Sequence, residues 1–149
     1  MIAPGALVAL SLPNLAATEA LGWRIAAALQ PGDAVLLDGP LGAGKSALAR
    51  ALIRAAVGDP GLDVPSPSYT LVQAYDTRAG PLRHFDLWRL DGPGGVMELG
   101  WDEAREGVVV VEWADRLGVL RPADALSITL AFADGDARSA DLSGWTQRL

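Results

Sequence analysis

Eight consecutive residues of this chain, GPLGAGKS, have the types and spacing of a phosphate-binding loop. The glycines of such a loop let the backbone curl until several N–H groups point at one centre, where a phosphate accepts their hydrogen bonds. The lysine reaches the β- and γ-phosphates of a nucleotide, and the hydroxyl after it binds magnesium. The sequence therefore predicts a nucleotide site formed by Gly39, Pro40, Leu41, Gly42, Ala43, Gly44, Lys45 and Ser46.

Lys45 is the only lysine in the chain, whereas the other basic residues are eleven arginines. An ammonium is a compact point charge, while a guanidinium is a planar fork, so the two are not interchangeable at a phosphate. A chain so biased toward arginine that keeps lysine at this position indicates a requirement for the ammonium.

Two acidic residues are candidates for binding magnesium or for activating the group that attacks the γ-phosphate. Glu112 follows four consecutive valines, and Asp86 interrupts the apolar segment HFDL. Ligands of open α/β sheets collect at the carboxyl ends of buried strands, which favours Glu112 over Asp86 on pattern alone. The alternative is that either acid only pairs with an arginine, for example Arg89 or Arg116.

Four further residues have weaker signals. Ser68 and Thr70 lie where many P-loop proteins carry a hydroxyl that senses the γ-phosphate, although hydroxyls beside a proline also form local turns. His84 is the only histidine, which excludes a multi-histidine metal site, and it is either packed in a strand or functional. Trp113 follows Glu112, and we expect it near the nucleotide.

The loop needs a strand before it and a helix after it, and the sequence predicts both. Residues 34–37 are an apolar run typical of a buried strand, and residues 47–57 are almost all good helix formers. A helix N-terminus here adds its positive dipole to the phosphate site. Upstream, we predict a strand at 6–12 and a helix that starts after Asn14 and stops at Pro31.

The rest of the pattern predicts a mixed sheet. Residues 71–75 and 82–87 form two strands whose short connection requires an antiparallel hairpin. The four valines at 108–111 indicate a strand buried on both faces, as in parallel sheets. Residues 125–132 and 137–142 predict a second antiparallel hairpin.

Short helical segments fill the remaining chain. Residues 91–95 read as a flexible break, residues 96–106 as one or two helical turns, and residues 115–118 as a brief turn or helix. We therefore expect a single P-loop ATPase domain at 1–149. Its fold class is α/β, a P-loop NTPase-like three-layer fold with a mixed, partly antiparallel central sheet.

Composition excludes several classes of protein. The net charge is −6 and the arginines are scattered, so strong nucleic-acid binding by this chain alone is not expected. The absence of cysteine excludes disulfides and cysteine-based metal sites. With no run of about eighteen apolar residues and no signal-peptide pattern, we expect a cytoplasmic protein that does not span a membrane.

Five segments in fixed order carry a family resemblance: GPLGAGKS at 39–46, SPSYTLV at 66–72, HFDLWRL at 84–90, ELG at 98–100 and VEW at 111–113. The first segment is shared by very many proteins, but the combination is specific. From about Leu12 to Phe132, the chain resembles the tRNA threonylcarbamoyladenosine biosynthesis ATPase family (TsaE).

The resemblance implies a small ATPase that uses ATP and Mg²⁺ to cycle a partner assembly, which consists of a transferase and its paralogous partner subunit. That assembly places a threonylcarbamoyl group on the adenosine next to the anticodon of tRNA. The resemblance implies only indirect contact with tRNA, and we expect a monomer when the chain is alone. In the family, residues matching Lys45 and Ser46 bind phosphate and magnesium.

The resemblance also implies roles for other residues. Thr70 matches a threonine of a switch-like segment, and Asp86 matches the acid described as Walker B. Glu112 and Trp113 match residues at the magnesium and the nucleotide, so the resemblance strengthens Asp86 and keeps Glu112. Where the family often has an arginine after a glycine turn, this chain has Asp136, and Arg138 follows two residues later.

Two other functions use the same loop. A small-molecule P-loop kinase usually adds an arginine-rich lid and an acceptor pocket, and no segment of this chain reads as a lid. A GTP-dependent switch protein selects guanine with the motif Asn-Lys-x-Asp, but the sole lysine already lies in the phosphate-binding loop.

Overall fold

A computed structural model describes residues 7–145 and 148–149 of the chain. Its elements in chain order are β1 (Val8–Leu12), α1 (Leu15–Ala28), β2 (Ala34–Asp38), α2 (Lys45–Val57), β3 (Val72–Thr77), β4 (Gly80–Asp86), α3 (Pro93–Met97), α4 (Trp101–Ala104), β5 (Val108–Glu112), a 3₁₀ helix (Ala114–Leu120), β6 (Leu126–Phe132) and β7 (Arg138–Ser143). The strand predicted from residue 6 begins at Val8, and residue 6 lies outside the described residues.

The described strands form one mixed sheet in the order β1-β7-β6-β2-β5-β4-β3. The central strands β6, β2, β5 and β4 pair in parallel. Both predicted hairpins, β3–β4 and β6–β7, are antiparallel, and β1 joins β7 at the edge in the same sense. The predicted mixed sheet is confirmed.

Helices cover both faces of the sheet, which confirms three layers. On one face, Leu21 and Ile25 of α1 and Leu52 of α2 pack in a core that includes Val110. On the other, Trp101 and Leu117 pack with Phe85 and Val111. The four valines of β5 alternate between the two cores because successive side chains of a strand point to opposite faces.

Local chemistry explains where the helices begin. The side chain of Asn14 accepts a hydrogen bond from the Ala17 N–H at 3.0 Å, so Asn14 is the predicted N-cap of α1. The break predicted at 91–95 is wrong in part, since α3 already begins at Pro93. Proline suits the first turn of a helix because its missing N–H has no intrahelical partner there. None of the described helices is long and apolar enough to cross a membrane.

Candidate nucleotide-binding site

The phosphate-binding loop connects β2 to α2, as the sequence predicts. Gly39, Gly42 and Gly44 adopt φ values of 139°, 82° and 109°, which favour glycine. A Cβ on Gly39 would lie 2.4 Å from the Leu130 carbonyl oxygen of β6, so the loop packs too closely for a side chain there. α2 begins at Lys45, and its N-terminal N–H groups and dipole therefore face the loop, an arrangement that favours anions.

A cavity of about 440 Å³ opens beside this loop. It is lined by residues of the loop, the start of α2, the segment before β3 and the carboxyl ends of β4 and β5: Leu41, Gly42, Gly44, Lys45, Ser46, Ala47, Ser66, Ser68, Tyr69, Asp86, Trp88, Arg89, Glu112 and Trp113. The structure therefore brings together most of the residues predicted from the sequence.

Lys45 is buried and folded back onto its own loop. Its Nζ donates to the carbonyl oxygens of Gly39, at 2.5 Å, and Pro40, at 2.9 Å. The same Nζ lies 4.0 Å from the centroid of the Trp113 ring, within range of a cation–π contact. Burial lowers the pKa of the Lys45 ammonium, while the negative charges of Glu112 and Asp86 oppose that shift.

The two predicted carboxylates lie side by side. Asp86 and Glu112 are direct partners in the parallel pairing of β4 with β5, and both are buried. The Oγ of Ser46 donates to Oε1 of Glu112 at 2.7 Å, which joins the start of α2 to the end of β5. The hydroxyl and both acids thus meet at the carboxyl edge of the sheet, where such folds bind ligands.

Asp86 is held by the segment before β3. Its Oδ2 accepts from the hydroxyls of Ser66 and Ser68, each at 3.1 Å, and its Oδ1 accepts from the Trp88 N–H at 3.0 Å. Among the described residues, no ion pair joins Asp86 or Glu112 to an arginine, so the arginine-pairing alternative is wrong here.

The arginines proposed for that pairing have other neighbours. Arg116 pairs with Asp115 at 3.0 Å, and the Arg89 guanidinium lies 4.3 Å from the Tyr69 ring centroid. The carboxylate of Asp86 therefore accepts hydrogen bonds from hydroxyl and backbone N–H groups and not from these arginines.

Thr70 is not brought into the cavity. It is exposed, and its Oγ1 accepts a hydrogen bond from the Gln73 side chain at 3.1 Å. The next residue, Leu71, has a φ of 70°, and its carbonyl accepts from the Asp86 N–H at 3.0 Å. Ser68 lies at the acid and Thr70 points elsewhere, so a switch role for Thr70 stays a prediction.

Trp113 is held in a left-handed conformation, with a φ of 58°, immediately before the 3₁₀ helix. Its ring centroid is 4.6 Å from that of Trp88, so two tryptophans form one wall of the cavity. The backbone N–H of Asp115 donates to Oδ1 of Asp38 at 2.8 Å, and Arg121 donates to Oδ2 of the same residue at 3.0 Å. Asp38 therefore fixes the start of the 3₁₀ helix beside the loop.

Sequence reasoning missed several residues of the site. Ser66, Tyr69 and Arg89 line the cavity. They lie in the segments just before β3 and just after β4, and no periodicity reveals the path of those segments. Asp38 had a usable signal, since it is an acid that ends a buried strand directly before the loop. Arg138 donates to the Gly42 carbonyl at 3.4 Å, so this arginine lies beside the loop despite its shifted position.

The donor set fits magnesium. A hydroxyl and two carboxylates are hard oxygen ligands, and Mg²⁺ is usually bound through one or two carboxylates together with the phosphates of its substrate. Nowhere in residues 7–145 and 148–149 do three or more His, Cys, Asp or Glu side chains form a group that could hold a metal by themselves. Ser46, Asp86 and Glu112 are therefore suited to a metal that arrives with a nucleotide.

The chain also has relatives among known proteins. The sequence model of one protein family, the threonylcarbamoyl adenosine biosynthesis protein TsaE, matches residues 12–140. A tRNA threonylcarbamoyladenosine biosynthesis protein TsaE from Rickettsia felis is 35% identical over 130 residues, which cover 87% of this chain and 75% of that protein. The TsaE protein of Haemophilus influenzae is 36% identical over 115 residues, with 75% and 70% covered.

A solved structure agrees with these sequence matches. The crystal structure of YdiB from Bacillus subtilis superposes with a TM-score of 0.73 and 28% identity, and covers 92% of this chain and 84% of that one. Its P-loop NTPase-like fold is also the fold of this chain. The match over residues 12–140 includes the loop, both carboxylates and the two tryptophans of the cavity wall, and the chain belongs to the TsaE family.

Proposed function

We propose that this chain is an ATPase subunit that binds and hydrolyses Mg-ATP to cycle a partner transferase assembly during threonylcarbamoylation of the adenosine next to the anticodon of tRNA. Membership of the TsaE family supports the pathway. The main structural support is the meeting of Ser46, Asp86 and Glu112 beside a phosphate-binding loop. The site combines groups for phosphate, metal and water in one cavity.

The residues of the loop have separate tasks in this proposal. The loop amides and the α2 N-terminus hold the phosphates, and Lys45 exchanges its carbonyl partners for phosphate oxygens. Ser46 and Asp86 would hold a magnesium ion, which would neutralise charge on the β- and γ-phosphates. Glu112, next to both residues, would orient the attacking water and help to hold the metal.

Adenine is the proposed base. Guanine-selective P-loop proteins use the motif Asn-Lys-x-Asp, and the single lysine of this chain already lies in the phosphate-binding loop. The proposed partners are the transferase and its paralogous partner subunit. Because Tyr69 at the cavity is largely exposed and Trp88 is about half exposed, part of the site is accessible to another protein.

Hydrolysis measured with and without the partners tests this proposal. The chain alone should turn over ATP slowly, and addition of the two partner subunits should change the rate. Glu112→Gln should bind Mg-ATP while turnover falls by about tenfold or more, because a water-orienting contact acts mainly in the transition state. Glu106→Gln, an exposed glutamate before β5, is the matched control and should behave as the parent.

Two outcomes would contradict the proposal. If Glu112→Gln hydrolyses ATP at the parent rate, Glu112 takes no part in the reaction. Rapid phosphorylation of a metabolite without any partner would instead show a small-molecule kinase. Binding of Mg-ATP should be measured by calorimetry in the same samples, and circular dichroism should confirm that the variants are folded.

A further inference from the structure

His84 and Glu112 form a buried pair beneath the cavity. The Nε2 of His84 lies 2.6 Å from Oε2 of Glu112, and their side chains are only 1% and 2% exposed. His84 is absent from the cavity lining, as far as the structure describes it. The proposed function uses Glu112 and leaves His84 without a role.

The carboxylate of Glu112 is held from two sides. Ser46 on α2 donates to Oε1 at 2.7 Å, while His84 on β4 contacts Oε2. Each oxygen therefore has one partner, and the two partners come from different elements. Such a pair of contacts leaves the carboxylate little freedom to rotate, because rotation would break both hydrogen bonds.

The hydrogen-bond partners of the His84 ring indicate which of its nitrogens carries the hydrogen. An ionised carboxylate only accepts, so the contact requires a hydrogen on Nε2. Nδ1 of His84 is also buried, and it has no partner among the described residues. In the neutral ring with hydrogen on Nε2, Nδ1 carries only a lone pair, and His84 has no unpaired N–H.

We propose that His84 is a positioning residue that acts through Glu112. Its Nε2–H fixes Oε2, so that Oε1 faces Ser46 and the cavity where phosphates and a metal would bind in the proposed function. This inference rests on the proposed function. Residues that orient a metal-site carboxylate in this way change metal affinity or activity when they are replaced, although they do not touch the metal or the substrate.

Two substitutions separate positioning from packing. His84→Met keeps a side chain of similar volume but removes the donor, and kcat for ATP should fall by about tenfold or more while KM changes less. His84→Gln supplies an amide N–H in place of Nε2–H and should retain several-fold more activity than His84→Met. A packing role would instead lower the melting temperature of both variants and leave kcat per folded molecule unchanged.

A double substitution tests the route through the carboxylate. In the Glu112→Gln background, His84→Met should cause little further loss of kcat, because the carboxylate that His84 positions is already absent. Additive losses would show that His84 acts independently of Glu112 and would overturn the inference.

Nitrogen NMR of the nucleotide-free protein reports which ring nitrogen of His84 carries a hydrogen. The measurement requires neither an activity assay nor a variant of His84. The chain has one histidine, so the ring signals belong to His84. We expect a hydrogen on Nε2, a bare Nδ1, and a shift of the Nε2–H signal in Glu112→Gln. An Nε2 that carries no hydrogen, or a spectrum unchanged by Glu112→Gln, would contradict the pairing.

The two proposals fail in different ways. If the parent does not hydrolyse ATP with its partners, the proposed function fails and the role of His84 fails with it. If the parent hydrolyses ATP and His84→Met is equally active, only the inference about His84 is overturned.

Discussion

Lys45 makes two kinds of contact that a bound nucleotide would change. Its Nζ donates to two carbonyls of its own loop and lies against the Trp113 ring. These contacts compensate a buried ammonium whose pKa is lowered by desolvation. A phosphate carries full negative charge, whereas the carbonyl groups are only dipoles. Replacement of the two carbonyl partners of Lys45 by phosphate oxygens would therefore be favourable.

Lys45→Ala should weaken ATP binding by roughly 10²-fold, because it removes one charge-assisted contact to a highly charged ligand. Calorimetry with Mg-ATP measures this change. Lys45→Arg is the matched comparison, since it keeps the charge but presents a planar fork that the loop is not shaped for. If Lys45→Ala binds ATP as the parent does, the assignment of the nucleotide site is wrong.

Asp86→Asn should weaken ATP affinity about tenfold in the presence of magnesium and much less in its absence, since the amide keeps the shape and removes the charge that attracts the metal. Titration of ATP with and without Mg²⁺ separates the two effects. Asp141→Asn, an exposed aspartate on β7, is the control. If Asp86→Asn weakens ATP binding equally with and without Mg²⁺, Asp86 has a structural role and does not bind the metal.

At the scale of elements, the segment between α2 and β3 is tied to Asp86 by both side chains and backbone. Two serine hydroxyls bind the carboxylate, and the Asp86 N–H binds the Leu71 carbonyl. Leu71 holds a positive φ, a conformation that costs free energy for a non-glycine residue. The end of β4 therefore determines where this segment lies at the cavity.

Helices α1 and α2 pack closely against each other at Gly22. A Cβ on Gly22 would lie 2.8 Å from Cβ of Ala51 and 2.9 Å from the Leu52 nitrogen. Gly22→Val should therefore lower the free energy of unfolding by about 1–3 kcal/mol through overpacking. Chemical denaturation measures it, with exposed Ala27→Val on the same helix as the control. Equal stability of both variants would show that the helices separate at little cost.

At the scale of the whole molecule, the net charge opposes direct contact between this chain and tRNA, which is the substrate of the proposed partner assembly. The net charge of −6 opposes a phosphate backbone, and arginines such as Arg116 and Arg121 are paired with aspartates. The proposed link to tRNA therefore passes through the partner subunits.

The isolated chain should give no gel shift of tRNA at micromolar concentration and physiological salt, because it offers few clustered cations for counterion release. The same assay with the two partner subunits added is the positive control. A complex between tRNA and the chain alone, weakened by rising salt, would contradict indirect contact and point to a local basic surface.

The sequence by itself determined the strand, loop and helix of the phosphate site, because glycine conformation and helix propensity act over a few residues. Short connections between strand-like segments determined the antiparallel hairpins, and four consecutive valines determined the doubly buried β5. The pattern of residues alone favours Glu112 over Asp86 as the functional acid. The family resemblance supports both acids.

Only the tertiary structure decided which side chains meet. Ser46 and Glu112 are 66 positions apart and bond only because β5 lies between β2 and β4 in the sheet. The parallel register then places Asp86 directly beside Glu112, and the same pairing of strands brings His84 to the far carboxylate oxygen. Strand order and register follow from burying both faces of the whole sheet at once, a condition that no local stretch of residues contains.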